Sequence, residues 1–590
     1  MIGGDVDHRA PKATASESGP APESTGVLDY EVLERQPLPG ERPMTADRED
    51  GPFRNSLAAD AAVLTDESVP VAPVAPVGKS PRRPASKRAI ARRRSVADSK
   101  AEPRDAFPHT RRPLPWVLAA FLAMLFLVPV DSTELKLSLP VGSDIDRFAI
   151  VGMVLAWIVF GGDQRAFLRT RRSKLYVGAV CVFLGLAIAS VLLGVGRILN
   201  VGELSLAEKR FGLLGSFLVL SWFTLTALRF EDLRGFSTYL IGLASFMAMG
   251  MIVERHTGYN IFYNWSAKVL DPIAKVAPSP TVIHPAFGSD GRVTVVGPTI
   301  HGLAATTMLV LVMPFALIRM FDAKSRRSWL LNGLAFTLML AAAAATDRKT
   351  ALLVPVALVL YIACYRPRQV LKLAPIGLVL LVGLVHVASP GALGTIFTPT
   401  AGLQSSSTEH RLGDFSDVAP DIYAHPLFGR GFGTLDSDLE TQFRINDDEY
   451  IDEIWEVGIF GLFAYIFMIL APVFTARRAI RGRDPNVASL ALATSAGCIA
   501  YLVVSALFDA FSFPQAPYMF FFIAALTVIA SAGPEGNVQP LRERVRGIVV
   551  RPRGGAKLGI RRIPLVSGWL LVRDPRWAST ESVDAQTGAD

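Results

Sequence analysis

Arg292 and Arg348 each stand near the edge of a long apolar run, Arg411 lies in the long polar segment 389–449, and an acidic pair, Asp447-Asp448, stands at the edge of another run. Arginine stays charged and donates planar, bidentate hydrogen bonds to phosphate oxygens, a geometry that lysine lacks. Carboxylates and imidazoles exchange protons, and His301, His410 and His425 fall in the same parts of the chain. Anion-gripping arginines beside a proton acceptor are equipment for displacing a phosphate-type leaving group. Each residue also has a plain reading. A lone arginine at a membrane edge snorkels to the interface. Carboxylates ahead of IDEIWEVGIFG suit a helix N-terminus, worth ~0.3–1 kcal/mol.

The elements that must carry these residues are membrane helices. The chain has 590 residues, 51% of them hydrophobic, with about a dozen runs near the ~20-residue length that crosses a bilayer. Helices or closed barrels alone satisfy backbone groups there, so the fold class is all-α and polytopic. Spans are expected at 114–130, 147–162, 175–193, 210–228, 235–253, 300–320, 329–345, 349–364, 371–388, 450–475, 487–508 and 516–532. With the N-terminus inside, the loops DQRAFLRTRRSK, RFEDLR, RMFDAKSRRS, YRPRQVLK and ARRAIRGRD are cytoplasmic and mostly basic, as the positive-inside rule requires. An even span count puts both termini in the cytoplasm. The outward segments then include the acidic DSTELKLSLPVGSDID, residues 254–298, the tight hairpin of Thr346, Asp347 and Arg348, and residues 389–449.

Residues 1–112 are rich in Pro, Ala, Ser, Glu and Arg without a helical or strand period, which reads as a disordered cytoplasmic tail. Its basic end, Lys79 to Arg112, orients the first span and meets anionic lipid, or docks a regulator. Residues 113–532 form the membrane domain. Residues 533–590 read as a basic cytoplasmic tail, disordered or lying on the inner leaflet. The net charge of +8 is spread over short loops and tails, which argues for membrane topology and against nucleic acid as a partner. Cys181, Cys364 and Cys498 fall inside apolar runs, without disulfide or metal spacing, and read as small core residues. No cleavable signal peptide is expected, since the first apolar run starts near Leu114.

Four motifs occur in order. GPTIHGLAATTMLVLVMP opens one span, and Thr346-x-Arg348 opens another. Arg411 precedes HPLFGRGFGT, and DDEYIDEIWEVGIFG follows. This order resembles the O-antigen ligase and O-antigen polymerase superfamily of bacterial envelope membrane proteins, over about residues 250–475. The resemblance implies that Arg348 and Arg411 are the two pyrophosphate-binding arginines and that Asp447 is the loop base. It places His301 where a Pro-Asn pair is common. Ligases carry His-Asn where this chain has Asp447-Asp448, so polymerase-type members are the nearer likeness.

The function expected is polymerisation or ligation of glycan at the outer face of the bacterial cytoplasmic membrane. The donor is a polyprenyl-diphosphate-linked glycan and the acceptor is another glycan. Membrane lipid and polysaccharide-assembly proteins are the other expected partners. Arg348, Arg411 and Asp447 carry the catalysis, while Arg292, His301, His410, Asp448 and Glu456 contact substrate or orient the loop. The resemblance implies no nucleotide, cofactor or obligatory metal. The alternative is a secondary transporter or lipid-linked glycan flippase. Span interiors almost free of charge favour the enzyme.

Overall fold

A computed structural model describes residues 105–136, 144–160, 171–195, 201–283, 293–348, 350–388, 418–434 and 448–534, and two strands within 560–573. All belong to the second of two compact units, Ser86–Asp590. The described part is mostly helical. It contains α1 (Pro113–Leu127), α2 (Ile145–Phe160), α3 (Arg171–Gly194), α4 (Val201–Ala227) and α5 (Asp232–Thr257). Two short helices, α6 (Ile261–Leu270) and α7 (Pro280–Ile283), precede α8 (Gly302–Phe321), α9 (Arg326–Ala344), α10 (Thr350–Tyr365) and α11 (Pro367–Ala388). A short α12 (Glu449–Glu456) leads into α13 (Gly458–Ile480), α14 (Pro485–Ser505) and α15 (Gln515–Ala532). Strand β1 (Thr133–Leu135) pairs antiparallel with β2 (Ala274–Val276), and β3 (Ile560–Leu565) with β4 (Gly568–Arg573).

Among the described residues, 8 helices are long and apolar enough to cross a membrane: α3, α4, α5, α8, α9, α13, α14 and α15, each within a residue or a few of the bounds above. Helices α1 and α10 are shorter apolar helices. The chain is a multi-pass membrane protein. Helices α8 and α15 are apolar on every side and almost wholly buried, which is the signature of central helices. Helix α8 packs against α5, α9, α14 and α15.

Four expectations change. The span expected at 450–475 is two helices, because Val457 and Gly458 turn the chain between α12 and α13. Cys181 and Cys364 are exposed on helix faces, and only Cys498 is a core residue, because helical pitch rather than local apolarity decides which face turns inward. Residues 105–112, expected as the end of the tail, pack onto the bundle. The C-terminal tail carries two strands, β3 and β4, paired antiparallel. Residues 1–104 lie outside the described residues.

The basic end of the bundle is knit by ion pairs. The buried Asp232 carboxylate accepts both bonds from Arg112 Nη2, each 2.6 Å, and one each from Phe107 N and Arg229 N, at 2.9 and 2.8 Å. Gly235 permits this packing, since a Cβ there would lie 2.0 Å from Phe107 O. Arg366 reaches Asp322 at 2.7 Å and Ser489 at 2.6 Å, tying α8, α10 and α14 together. Removing one partner of a buried pair strands the other. Asp232→Ala should therefore lower unfolding free energy by about 3–5 kcal/mol. Thermal unfolding in detergent checks this, with exposed Arg111→Ala as the silent comparison.

A candidate anion and proton site at the opposite end of the bundle

The hairpin between α9 and α10 delivers Arg348. Its turn needs a left-handed residue, and Asp347 supplies it with φ 56°, a conformation that Asp tolerates better than most residues. Thr346 Oγ1 meets Thr306 Oγ1 at 3.0 Å and donates to Ala343 O at 2.7 Å, seating the turn on the start of α8. Gly302 makes room, since a Cβ there would stand 2.9 Å from Val295 O and 3.3 Å from Thr346 Cβ. Arg348 is exposed, and its Nη2 lies 3.5 Å from His301 Nε2.

His301 caps α8, its Nδ1 accepting from Leu303 N at 3.4 Å. Its ring packs against an adjacent pair of phenyl rings, Phe508 and Phe513, at centroid distances of 6.2 and 5.4 Å, the two phenyls standing 4.7 Å from each other. Burial, reinforced by the Arg348 charge, pushes the imidazole pKa down to about 4. A neutral His301 leaves the guanidinium as the positive group of the pair. The loop before it is held by Glu254, which accepts from Gly297 N and Asn260 Nδ2, each at 2.9 Å. Asn260 Nδ2 also donates to Gly297 O at 2.8 Å, and Tyr263 donates to Thr299 O at 3.2 Å.

A second group forms where HPLFGRGFGT meets α12. Arg430 N donates to Trp455 O and Gly431 N to Glu456 O, both at 2.9 Å, and Ile459 N donates to Pro426 O at 2.9 Å. Glu456 Oε2 accepts from Gly433 N at 2.8 Å, so Glu456 holds the loop backbone. Gly429 and Gly458, with φ of 67° and 76°, let the two segments touch. A Cβ on either would lie 2.4 Å from backbone of the other segment. Arg430 binds Glu203 of α4 and reaches Asp421 at 3.2 Å, while Trp455 Nε1 donates to Asp421 at 2.8 Å. Asp448 caps α12, accepting from Tyr450 N at 2.9 Å.

The turn between α14 and α15 joins the two groups. Phe508 and Phe513 pack against His301, Phe511 N donates to Glu449 Oε2 at 2.8 Å, and Ser512 Oγ accepts from Arg210 at 3.0 Å. Glu449 and Glu453 are buried on one face of α12. Burial first, then nearby carboxylates (Asp509 and Glu453 for Glu449, Glu456 and Asp452 for Glu453), hold both well above the usual carboxylate range. Asp131 behaves alike. Its two oxygens are sealed from solvent, and burial, aided by Asp146 and opposed by Gln515, pushes it up to about 8.

Of the residues expected from sequence, His301, Arg348, Asp448 and Glu456 are in this region, with Arg348 beside His301 and Asp448 and Glu456 on α12. Arg292, His410, Arg411 and Asp447 lie outside the described residues. Sequence reasoning missed the 507–514 turn together with Glu449, Asp509, Arg210 and Glu203. The available signal was FDAFSFP, an acidic residue among aromatics in an outward turn. Compared with known proteins, the chain matches no family model and no curated sequence. Fold and site define a multi-pass, mostly helical membrane protein with ion-paired arginines at one end of the bundle and buried acids beside Arg348 and His301 at the other.

The environment of His301 has a measurable consequence. Its folded pKa of about 4 lies below the ~6.5 of an unfolded histidine. Between those values the unfolded chain carries the extra proton, so this residue subtracts stability as pH falls from about 6.5 towards 4. Histidine NMR should show a neutral His301 ring at pH 5.5. Arg348→Ala should raise its pKa part of the way, because burial remains. A ring titrating normally in the intact protein would contradict the packing described.

Proposed function

We propose that this chain is a glycan polymerase or ligase of the bacterial cytoplasmic membrane, with 12 spans and both termini in the cytoplasm. The donor is a polyprenyl-diphosphate-linked glycan presented at the outer leaflet, and an acceptor glycan hydroxyl attacks its anomeric carbon. Arg348 and Arg411 hold the departing diphosphate and stabilise its growing charge. Asp447 takes the hydroxyl proton. Arg292, His410 and Asp448 line the approach, and polysaccharide-assembly proteins accept the product.

The observation that carries the reading is the placement of Arg348. It is exposed, at the end opposite the ion-paired basic loops, beside an imidazole that stays neutral and so does not compete for an anion. The packing of HPLFGRGFGT onto IWEVGIFG supports it further, since two of the four motifs then act as one unit. The competing reading, a secondary transporter or flippase, draws on the buried carboxyls Glu449 and Glu453, because intramembrane or near-membrane acids also serve proton coupling.

Topology is tested by single cysteines. An impermeant thiol reagent applied to intact cells should label Ser416→Cys and not Ser325→Cys. The reverse pattern would place the arginine on the wrong side. The chemistry is tested by Arg348→Lys and Arg411→Lys, which keep charge but lose bidentate geometry. Each should cut glycan transfer by roughly 10²-fold at matched membrane level, while Arg327→Lys on a basic loop is silent. Near-normal polymer from both variants would favour the transporter.

A further inference from the structure

Helix α6 lies in the segment that sequence assigns to an outward loop, yet it turns apolar side chains outward. Ile261, Trp265 and Val269 recur at helical spacing, and Trp265 and Val269 are 60% and 58% exposed. Its other face, Phe262, Tyr263 and Ser266, is buried against the bundle. Ala267, on the far side from Trp265, and Lys268, at the edge of the stripe, are also exposed. A water-facing loop gains nothing from such a stripe.

Depth decides what covers it. Helix α5 ends at Thr257, and Gly258 (φ 68°) reverses the chain. Phe262 then packs back onto Gly250, where a Cβ would stand 2.5 Å from the Phe262 ring and 3.2 Å from Ile261. Gly250 lies two turns before the end of α5, about 10 Å back along its axis. The start of α6 therefore sits below the end of a membrane span, not above it. The outward stripe of α5 itself, Phe246, Met249 and Val253, is exposed. Phe246 meets the Phe262 ring at 6.5 Å, so the exposed apolar surface of the span runs on toward α6. Behind α6, the pairing of β2 with β1 and the Ser132–Tyr263 contact of 3.0 Å fix the segment to the bundle.

We propose that α6 is an interfacial anchor, with Ile261, Trp265 and Val269 seated in the phospholipid leaflet at this end of the bundle and Lys268 at the headgroups. Tryptophan suits that depth, and amphipathic helices seat ~5–10 Å below the headgroup boundary. Asn260 and Tyr263, at the start of the same helix, hold Gly297 and Thr299 of the loop that ends at His301. The leaflet thus sets the depth of His301 and Arg348. That consequence bears on the glycan-transfer reading, whereas the anchoring itself does not depend on it.

The test uses the full chain in phosphatidylcholine–phosphatidylglycerol nanodiscs, with Cys181, Cys364 and Cys498 replaced by alanine. Nitroxides at Trp265→Cys and Val269→Cys should collide preferentially with oxygen, and one at Ala267→Cys with a water-soluble nickel chelate. Chelate preference at 265 and 269 would overturn the proposal in favour of a water-facing helix. Shielding of both sites from both reagents would overturn it in favour of a protein occupant, including a second copy. The cysteine-containing chain gives an independent reading. Lipids brominated near the headgroup should quench more tryptophan fluorescence in the natural chain than in Trp265→Phe, and equal quenching would count against the anchor. Glycan transfer is measured separately, so its loss or retention leaves the anchoring result intact.

Discussion

The buried Glu254 carboxylate is the contact on which the described site depends. An irregular backbone at membrane depth is tolerated only where protein groups satisfy it. The 293–301 loop enters the bundle without regular structure, and Glu254 meets its Gly297 N–H while orienting Asn260. Asn260 does three things at once. It caps α6 by accepting from Phe262 N and Tyr263 N, holds Gly297 O, and satisfies Glu254. The path of the chain into His301, and the return of α6 onto α5, both follow from that one carboxylate and amide.

The two ends of the bundle handle charge differently. At the basic end carboxylates such as Asp232 and Asp322 are matched by arginines from other helices, so the charges stay and lock the ends together. At the other end Glu449, Glu453 and Asp131 are buried among further acids, and burial favours their neutral forms. Three described arginines there differ in what holds them. Arg430 is spent on Glu203 and Asp421, and Arg210 on Ser512, while Arg348 stands exposed beside a neutral imidazole. A site that receives an anion gains from this division, since a guanidinium saturated by a carboxylate has less to offer a phosphate.

Close backbone approach explains the glycines of HPLFGRGFGT and of the α12–α13 junction. Gly429 and Gly458 each adopt a left-handed conformation and each occupies the space a side chain on the other's segment would need. Gly433 packs equally tightly, with Arg210 Cβ 2.4 Å from where its own Cβ would stand. The motifs therefore form one joint that fixes the short α12 against the start of α13. It also sets the face on which Glu449 and Glu453 turn inward.

Much of this protein was legible in its residues alone. Apolar runs of membrane length fix an all-helical bundle, because hydrocarbon leaves the backbone no other solution, and the basic loops fix which helix ends lie together. Guanidinium chemistry singled out Arg348 from its position between two such runs. Sequence did not decide the break at Val457, the outward aspect of Cys181 and Cys364, or the seating of α6. Hydropathy sums a window and carries no face, and a reversal at Gly258 looks like any loop entry. Nor did it reveal that FDAFSFP, some 160 residues beyond Arg348, brings the aromatics that pack against His301 and the amide that meets Glu449. Local composition determines that a segment crosses or bounds a membrane. Which bounding segments share a site depends on the packing of α8, α14 and α15, and those contacts exist only in the folded chain.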